Sequence, residues 1–332
     1  MNRNYKYQII AVFITLLVLL SACSAGKEPA TVKIALQPYL SMAPFFIAEE
    51  EGFFEEQGLT VEYLPMGRSA ETIPAIEQGD VDVVTGSPNA GIINAIARGA
   101  NIKFVANKGE IADSGCSFMA YMANIPFLES HPSMNPADLK GASFGVNPAS
   151  FISYALELFL KQANLTLDDI VINQGSDTEY YEGLRAGSLD IIYAIEPAVT
   201  RIIEDGTGDI YLSFNDILPG FSYSQLWFGP SFLDKNPEMG RRFMVAYLKG
   251  VRQFNEGKTD RNVEIIAKYT ELEEEFVRET CWVTISNNPT INIPDLMDFQ
   301  EWAYAQGLID EVITEDQFWN PSFLEYANKE LE

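Results

Sequence analysis

Gln78-Gly79-Asp80-Val81-Asp82-Val83-Val84, running into Gly86-Ser87-Pro88, is echoed by Ala186-Gly187-Ser188-Leu189-Asp190-Ile191-Ile192, running into Ile195-Glu196-Pro197. In both, a helix ends at a glycine, an aspartate follows three residues on, and an apolar strand runs to a proline that can start the next helix. From aspartate to proline the spacing is six residues in the first copy and seven in the second. One topology used twice is the simplest account of the echo.

The flanking sequence fits it. TVKIAL (31–36), LTVEYL (59–64), DVDVVTG (80–86) and IKFVAN (102–107) are short β-branched runs, separated by the helical patterns PFFIAEEEGFFEEQ (44–57), AETIPAIEQ (70–78) and NAGIINAIARG (89–99). A second series follows: GASFGV (141–146), a helix over FISYALELFLKQANL (151–165), DIVINQ (169–174), a helix over TEYYEGLRAG (178–187), and LDIIYAI (189–195). This rhythm predicts an α/β fold in two lobes, each a mainly parallel sheet flanked by helices. After Pro219-Gly220 the pattern turns helical, beginning with PEMGRRFMVAYLKGVRQFNE (237–256), and these helices are expected to pack back on the first lobe. ELEEE at 271–275 reads as a solvated helix face.

The chain has 332 residues with 22 Lys+Arg against 47 Asp+Glu, a net charge of −25, and is 47% hydrophobic and 21% charged. That balance argues against nucleic acid as a partner, because phosphate neutralisation needs a basic surface. Apolar content is ample for a core, and the length suggests about two domains.

Residues 1–22 read as a leader: Arg3 and Lys6, then the apolar run Ile9–Leu20, then small residues. Twelve residues of helix reach about 18 Å, too short for a hydrocarbon core of about 30 Å. The exit Leu20-Ser21-Ala22-Cys23 resembles the lipobox of bacterial lipoproteins, which implies cleavage before a lipidated Cys23. Residues 23–30 then form a tether, and the expected location is extracytoplasmic, lipid-anchored to the cell membrane. Loss of Arg3 and Lys6 takes the charge from −25 to −27. Cys116 and Cys281 remain; an oxidising compartment permits a disulfide, spacing alone cannot test it, and two buried thiols are the expectation.

Catalytic constellations are scarce. The single histidine, His131, sits in the Pro-rich HPSMNP, which offers no cluster for zinc and no nucleophile pairing. Neither a dinucleotide nor a P-loop glycine motif occurs. No catalytic residue, metal or cofactor is expected, and the chain reads as a binding protein.

Binding features are richer. In open α/β sheets ligands sit outside the carboxyl ends of strands, at helix N-termini. Four loops occupy that position: Leu36–Ser41, Thr85–Asn89, Val146–Ser150 and Tyr193–Pro197, with Ser87 read as a helix cap ahead of Pro88. They supply Gln37, Tyr39, Ser41, Ser87, Asn89, Asn147, Ser150, Tyr193 and Glu196 as candidate ligand-binding residues, and Trp227 is added as an aromatic wall. Phe118, Tyr180, Tyr181 and Phe221 lie in or beside the same loops.

The mature chain resembles the nitrate/sulfonate/taurine/thiamine-precursor branch of the solute-binding proteins of ABC importers. The residues that carry the resemblance are Ala43–Ala48 with Glu51–Phe54 and Gly58-Leu59, Gly79–Asp82, Asp138–Gly141, Glu196-Pro197, and Asn236–Glu238 with Arg242-Phe243 and Ala246-Tyr247. It implies a two-lobed hinged fold that closes on a small-molecule solute and delivers it, as a monomer, to a membrane permease with a separate ATPase. Lobe 1 would then comprise 31–118 with 224–332 and lobe 2 residues 119–223, with crossovers near Phe118–Ala123 and Gly220–Leu226. Glu196, if it faces the cleft, favours a ligand with N–H donors, and aromatic walls suit a ring. The expected solute is a planar nitrogen heterocycle, riboflavin, another flavin or a thiamine pyrimidine precursor. The alternative is an alkanesulfonate, taurine or nitrate with Arg68 or Arg185 as countercharge, and a remote one is a pyrimidine-synthase-like enzyme using His131.

Overall fold

The computed structural model describes residues 30–36, 39–66 and 69–332. The leader, Cys23 and nearly all of the tether lie outside these residues, as do Gln37 and Arg68. Among the described residues no helix is long and apolar enough to cross a membrane.

Among the described residues ten strands form two five-stranded sheets. The first contains β1 (Ala30–Leu36), β2 (Leu59–Pro65), β3 (Val83–Gly86), β4 (Lys103–Gly109) and β10 (Ser224–Phe228), in the order β2-β1-β3-β10-β4. The second contains β5 (Met119–Asn124), β6 (Ser143–Gly145), β7 (Val171–Asn173), β8 (Ile191–Ile195) and β9 (Gly208–Ser213), in the order β7-β6-β8-β5-β9. The two orders are the same pattern. β1 pairs in parallel with β2 and β3, as β6 does with β7 and β8. The fourth strand of each sheet, β10 or β5, is antiparallel to both of its neighbours. Each sheet is therefore mixed, because its fourth strand enters from the other series and runs against the βαβ direction.

The sequence echo has a structural cause. Asp82 N–H donates to the Lys33 carbonyl at 2.9 Å while its carboxylate accepts from Lys33 N–H at 2.9 Å. Asp190 does the same to Ser143, at 3.1 and 2.8 Å, and also accepts from the Ser143 hydroxyl at 2.7 Å. Each aspartate thus supplies one more rung at the start of the parallel pair, β1–β3 or β6–β8. The glycines before them, Gly79 and Gly187, take φ of 79° and 70°, the left-handed turn that ends a helix without a Cβ penalty.

Helix 44–57 is broken: it runs Ala43–Glu50, turns at Gly52 with φ 74°, and resumes as Phe53–Glu56. ELEEE is exposed for the most part but is not one helix face. Glu271, with φ 56°, closes the helix Asp260–Thr270, and a new helix starts at Glu274. The long helix Pro237–Phe254 packs on Ala43–Glu50 and on Ser322–Glu330, whereas Ile293–Ala305 also touches Phe151–Leu160 beside the second sheet. There Trp302 Nε1 donates to the buried Glu157 carboxylate at 2.7 Å.

The two sheets are joined where the chain crosses after β4 and returns before β10. Ile111 exchanges backbone hydrogen bonds with Gly220 and Phe221, and Glu110 N–H reaches Thr284 O. Cys116 and Cys281, expected as separate thiols, form a disulfide with Cα atoms 5.7 Å apart. The C-terminal segment returns past the crossing, a proximity that a separation of 165 residues hides.

Candidate functional site

Of the four loops expected to converge, Thr85–Asn89 and Val146–Ser150 meet directly. The Ala90 N–H donates to the Ala149 carbonyl at 3.1 Å, the Phe151 N–H to the Pro88 carbonyl at 3.3 Å, and Asn89 forms a bridge with Ser150. At the rim, Tyr39 Oη donates to the carboxylate of Asp177 at 3.0 Å, linking the loop after β1 to the helix Asp177–Arg185 of the other lobe.

Several candidate side chains serve local structure. Asn89, rather than Ser87, caps the helix Ala90–Ala97: its Oδ1 accepts from Ile92 N–H, and its Nδ2 donates to the Ser87 carbonyl. Asn147 Oδ1 accepts from Ala149 N–H, and its carbonyl accepts from the hydroxyls of Ser150 and Ser153. Glu196 is buried, and its carboxylate accepts from Thr200 N–H at 3.0 Å, Thr200 Oγ1 at 2.7 Å and Cys281 N–H at 3.0 Å. Burial pushes its pKa up, against the opposing pull of those bonds. Its acceptors are engaged within the chain. Trp227 is fully buried in β10, stacked on Phe104, with its ring packed against Gly86 of the loop Thr85–Asn89. Tyr181 bonds Asp205 on the surface, and Arg185 pairs with Glu182 there. His131 stacks on Phe127, and its Nδ1 lies 3.0 Å from both Ser130 Oγ and the Phe127 carbonyl.

Between the lobes lies a constellation that includes Tyr39, Ser41 and Tyr193 but has another residue at its centre. β10 pairs Ser224 with Gly109 and Gln225 with Asn107, so Lys108 is the extra residue of a bulge in β4. Bulges of this kind re-aim a side chain. Lys108 is 1% exposed, and its Nζ lies 2.7 Å from Ser41 Oγ and 3.8 Å from Met42 Sδ. No acid among the described residues pairs with it. Burial alone pushes its amine down to about 7.

Tyr223 closes the other side. Its ring fits against Gly109, where a Cβ would fall 2.7 Å from the ring, and its neighbours Phe118 and Phe151 bring in the second lobe. The hydroxyls of Tyr223 and Tyr247 are buried without a well-formed hydrogen bond. Burial raises the pKa of Tyr223, Tyr247, Tyr39 and Tyr193, so all four phenols stay protonated near neutral pH. Hydroxyls and an uncompensated amine make a donor-rich site, suited to an acceptor-rich solute.

Lys108 and Tyr223 were absent from the sequence-derived set. Alternation gave no signal for Lys108, because β4 is bulged against β10 at both Val105 and Lys108.

A family model described as NMT1/THI5 like matches residues 40–256. YtlA of Bacillus subtilis strain 168, which carries a binding-protein name, is 22% identical over 320 residues, covering 94% of this chain and 92% of that one. The periplasmic nitrate-binding protein NrtA from Synechocystis PCC 6803 matches in structure with a TM-score of 0.75 at 14% identity, over 92% of this chain and 90% of that one. The alkanesulfonate-binding protein SsuA from Xanthomonas axonopodis pv. citri, bound to MOPS, matches with a TM-score of 0.68 at 17% identity, over 89% and 99%. At such identities the likeness is one of fold, and the same fold also carries a desulfurization enzyme.

Proposed function

The chain belongs to the NMT1/THI5-like family, and on that premise we propose that it is the solute-binding component of an ABC import system. It captures a small oxoanion, an alkanesulfonate or nitrate, between its lobes and presents it to a membrane permease driven by a separate ATPase. The observation that carries this reading is Lys108: a buried amine against Ser41, between the lobes, with no acid among the described residues to neutralise it. A buried charge is costly unless paired, so an anionic solute is the partner that such a site selects. The names of NrtA and SsuA agree with this class of solute.

A planar nitrogen heterocycle, a flavin or thiamine pyrimidine precursor, is the second reading, supported by the phenol rings of Tyr39, Tyr193 and Tyr223. It loses the argument from Glu196, whose carboxylate already accepts three internal bonds. The chain works as a binding protein, and the lipobox at Leu20–Cys23 supports tethering through a lipidated Cys23.

Thermal melts of the protein with ethanesulfonate, taurine, nitrate, riboflavin and a thiamine pyrimidine test the choice. A ligand at a hundred times its Kd stabilises by about 2.7 kcal/mol. Stabilisation by ethanesulfonate or nitrate is expected. Stabilisation by ring compounds alone would reverse the order of the two readings.

A further inference from the structure

Resting on the anion reading above, we infer that the protein takes up its solute together with a proton, which Lys108 acquires when the anion binds beside it. The geometry carries this. Lys108 Nζ is held against a hydroxyl and a thioether, and the bulge in β4 turns its side chain inward, leaving it 1% exposed. An isolated ammonium in such surroundings is disfavoured, and the group sheds its proton instead. An anion beside it reverses that preference, because opposite charges a few ångströms apart in a low dielectric favour the ionised form.

Among the described residues none places a charge against the amine. From the turn Leu40–Met42 come Ser41 and Met42, which do not titrate. Tyr223 lies on the segment leading into β10, and Tyr247 on the helix Pro237–Phe254; Tyr39 and Tyr193 complete the set, and all four phenols are held protonated by burial. Glu110, two residues on, lines a separate cavity of about 200 Å³ beside the disulfide. Asp177 sits at the rim on Tyr39. The amine itself is pushed down to about 7 by burial alone. A solute that binds only the protonated form therefore meets a half-competent protein at neutral pH.

Calorimetric titration with sodium ethanesulfonate and potassium nitrate at pH 6, 7, 8 and 9, each in two buffers of different ionisation enthalpy, tests the inference. Expected are uptake of about half a proton at pH 7 and nearly one at pH 8 and above, with affinity about tenfold weaker at pH 8 than at pH 6 and about a hundredfold weaker at pH 9. Affinity independent of pH, with heats independent of buffer, would overturn proton uptake and leave anion capture standing. Failure of both probes to bind at every pH would remove the anion reading and this one with it. A second readout needs no solute: the ¹³Cε resonance of Lys108, assigned by its loss in Lys108→Arg, should titrate near pH 7 in the protein alone and above pH 9 with ethanesulfonate. Titration at the pH of an ordinary lysine in the protein alone overturns the inference.

Discussion

Lys108 Nζ and Ser41 Oγ meet at 2.7 Å inside the protein, an amine held by a hydroxyl where a carboxylate would be the usual partner. Such an arrangement costs stability, which the proposed binding role would account for. Lys108→Met, which keeps the length of the side chain and suits the neighbouring Met42, should raise stability by about 1–3 kcal/mol near pH 7 and weaken ethanesulfonate binding at least about tenfold. The folded pKa of Lys108 lies below that of an unfolded lysine, so its contribution is fullest above about pH 10.4 and is lost as pH falls through about 7. Melts between pH 7 and 9 should show wild type gaining stability relative to Lys108→Met; parallel curves would contradict a depressed amine.

Asp82 and Asp190 occupy equivalent places in the two sheets, each bonding both backbone polar groups of one residue in the neighbouring strand. Replacing either by alanine strands a backbone N–H at a sheet margin, at about 1–3 kcal/mol. Asp190→Ala should cost more than Asp82→Ala, since it also releases the Ser143 hydroxyl. Chemical denaturation measures both, and neither variant should alter the solute preference, because these contacts lie at the starts of the strands, away from the binding loops.

The repeat was legible because it rests on local signals. A glycine that ends a helix, an aspartate and an apolar run are each visible within seven residues. β5, β9 and β10 were harder: Met119-Ala120-Tyr121-Met122-Ala123 is poor in β-branched residues and becomes a strand through pairing with β8 and β9 on both sides. At the site, Tyr193, grouped with the loop before Pro197, lies within β8, whereas Tyr39 and Ser41 could be read as loop residues after β1. Lys108 could not, since a lysine in a strand ordinarily marks a solvated edge, and only the bulge opposite Ser224 and Gln225 turns it inward. Glu196 misled because its third donor, Cys281 N–H, comes from 85 residues further along.

The Cys116–Cys281 disulfide closes a loop of 165 residues and ties the crossing segment to the C-terminal return. Cross-links over loops of that size stabilise by about 2–5 kcal/mol. Cys116→Ser/Cys281→Ser should lower the melting temperature accordingly, and thiol titration of denatured, unreduced protein lacking the leader and Cys23 should find no free thiol. Two free thiols would contradict the bridge.

Glu196 holds Thr200 and the Cys281 backbone, and burial raises its pKa. A raised carboxyl pKa favours the protonated fold, so its contribution is present below the unfolded value of about 4.3 and is lost as pH rises through the folded value. Glu196→Gln removes that slope. Ethanesulfonate affinity should stay within about twofold of wild type, whereas affinity for a ring N–H donor would fall if the carboxylate met solute. Parallel calorimetry with ethanesulfonate and a thiamine pyrimidine separates the two.

Tyr39 and Asp177 come from opposite lobes, so their 3.0 Å hydrogen bond exists only when the lobes are together. Asp177 is exposed, which limits the bond to about 0.5–1.5 kcal/mol, or about two- to tenfold in affinity. Because the bond ties the two lobes at the rim, its loss should speed release more than it changes association. Tyr39→Phe and Asp177→Ala should each raise the dissociation rate of ethanesulfonate, and the double variant should be no worse than the stronger single one, the signature of a shared contact. Stopped-flow fluorescence measures the rates. Additive effects would mean that the two residues act separately and that the rim is held shut by other contacts, Asn89 with Ser150 foremost.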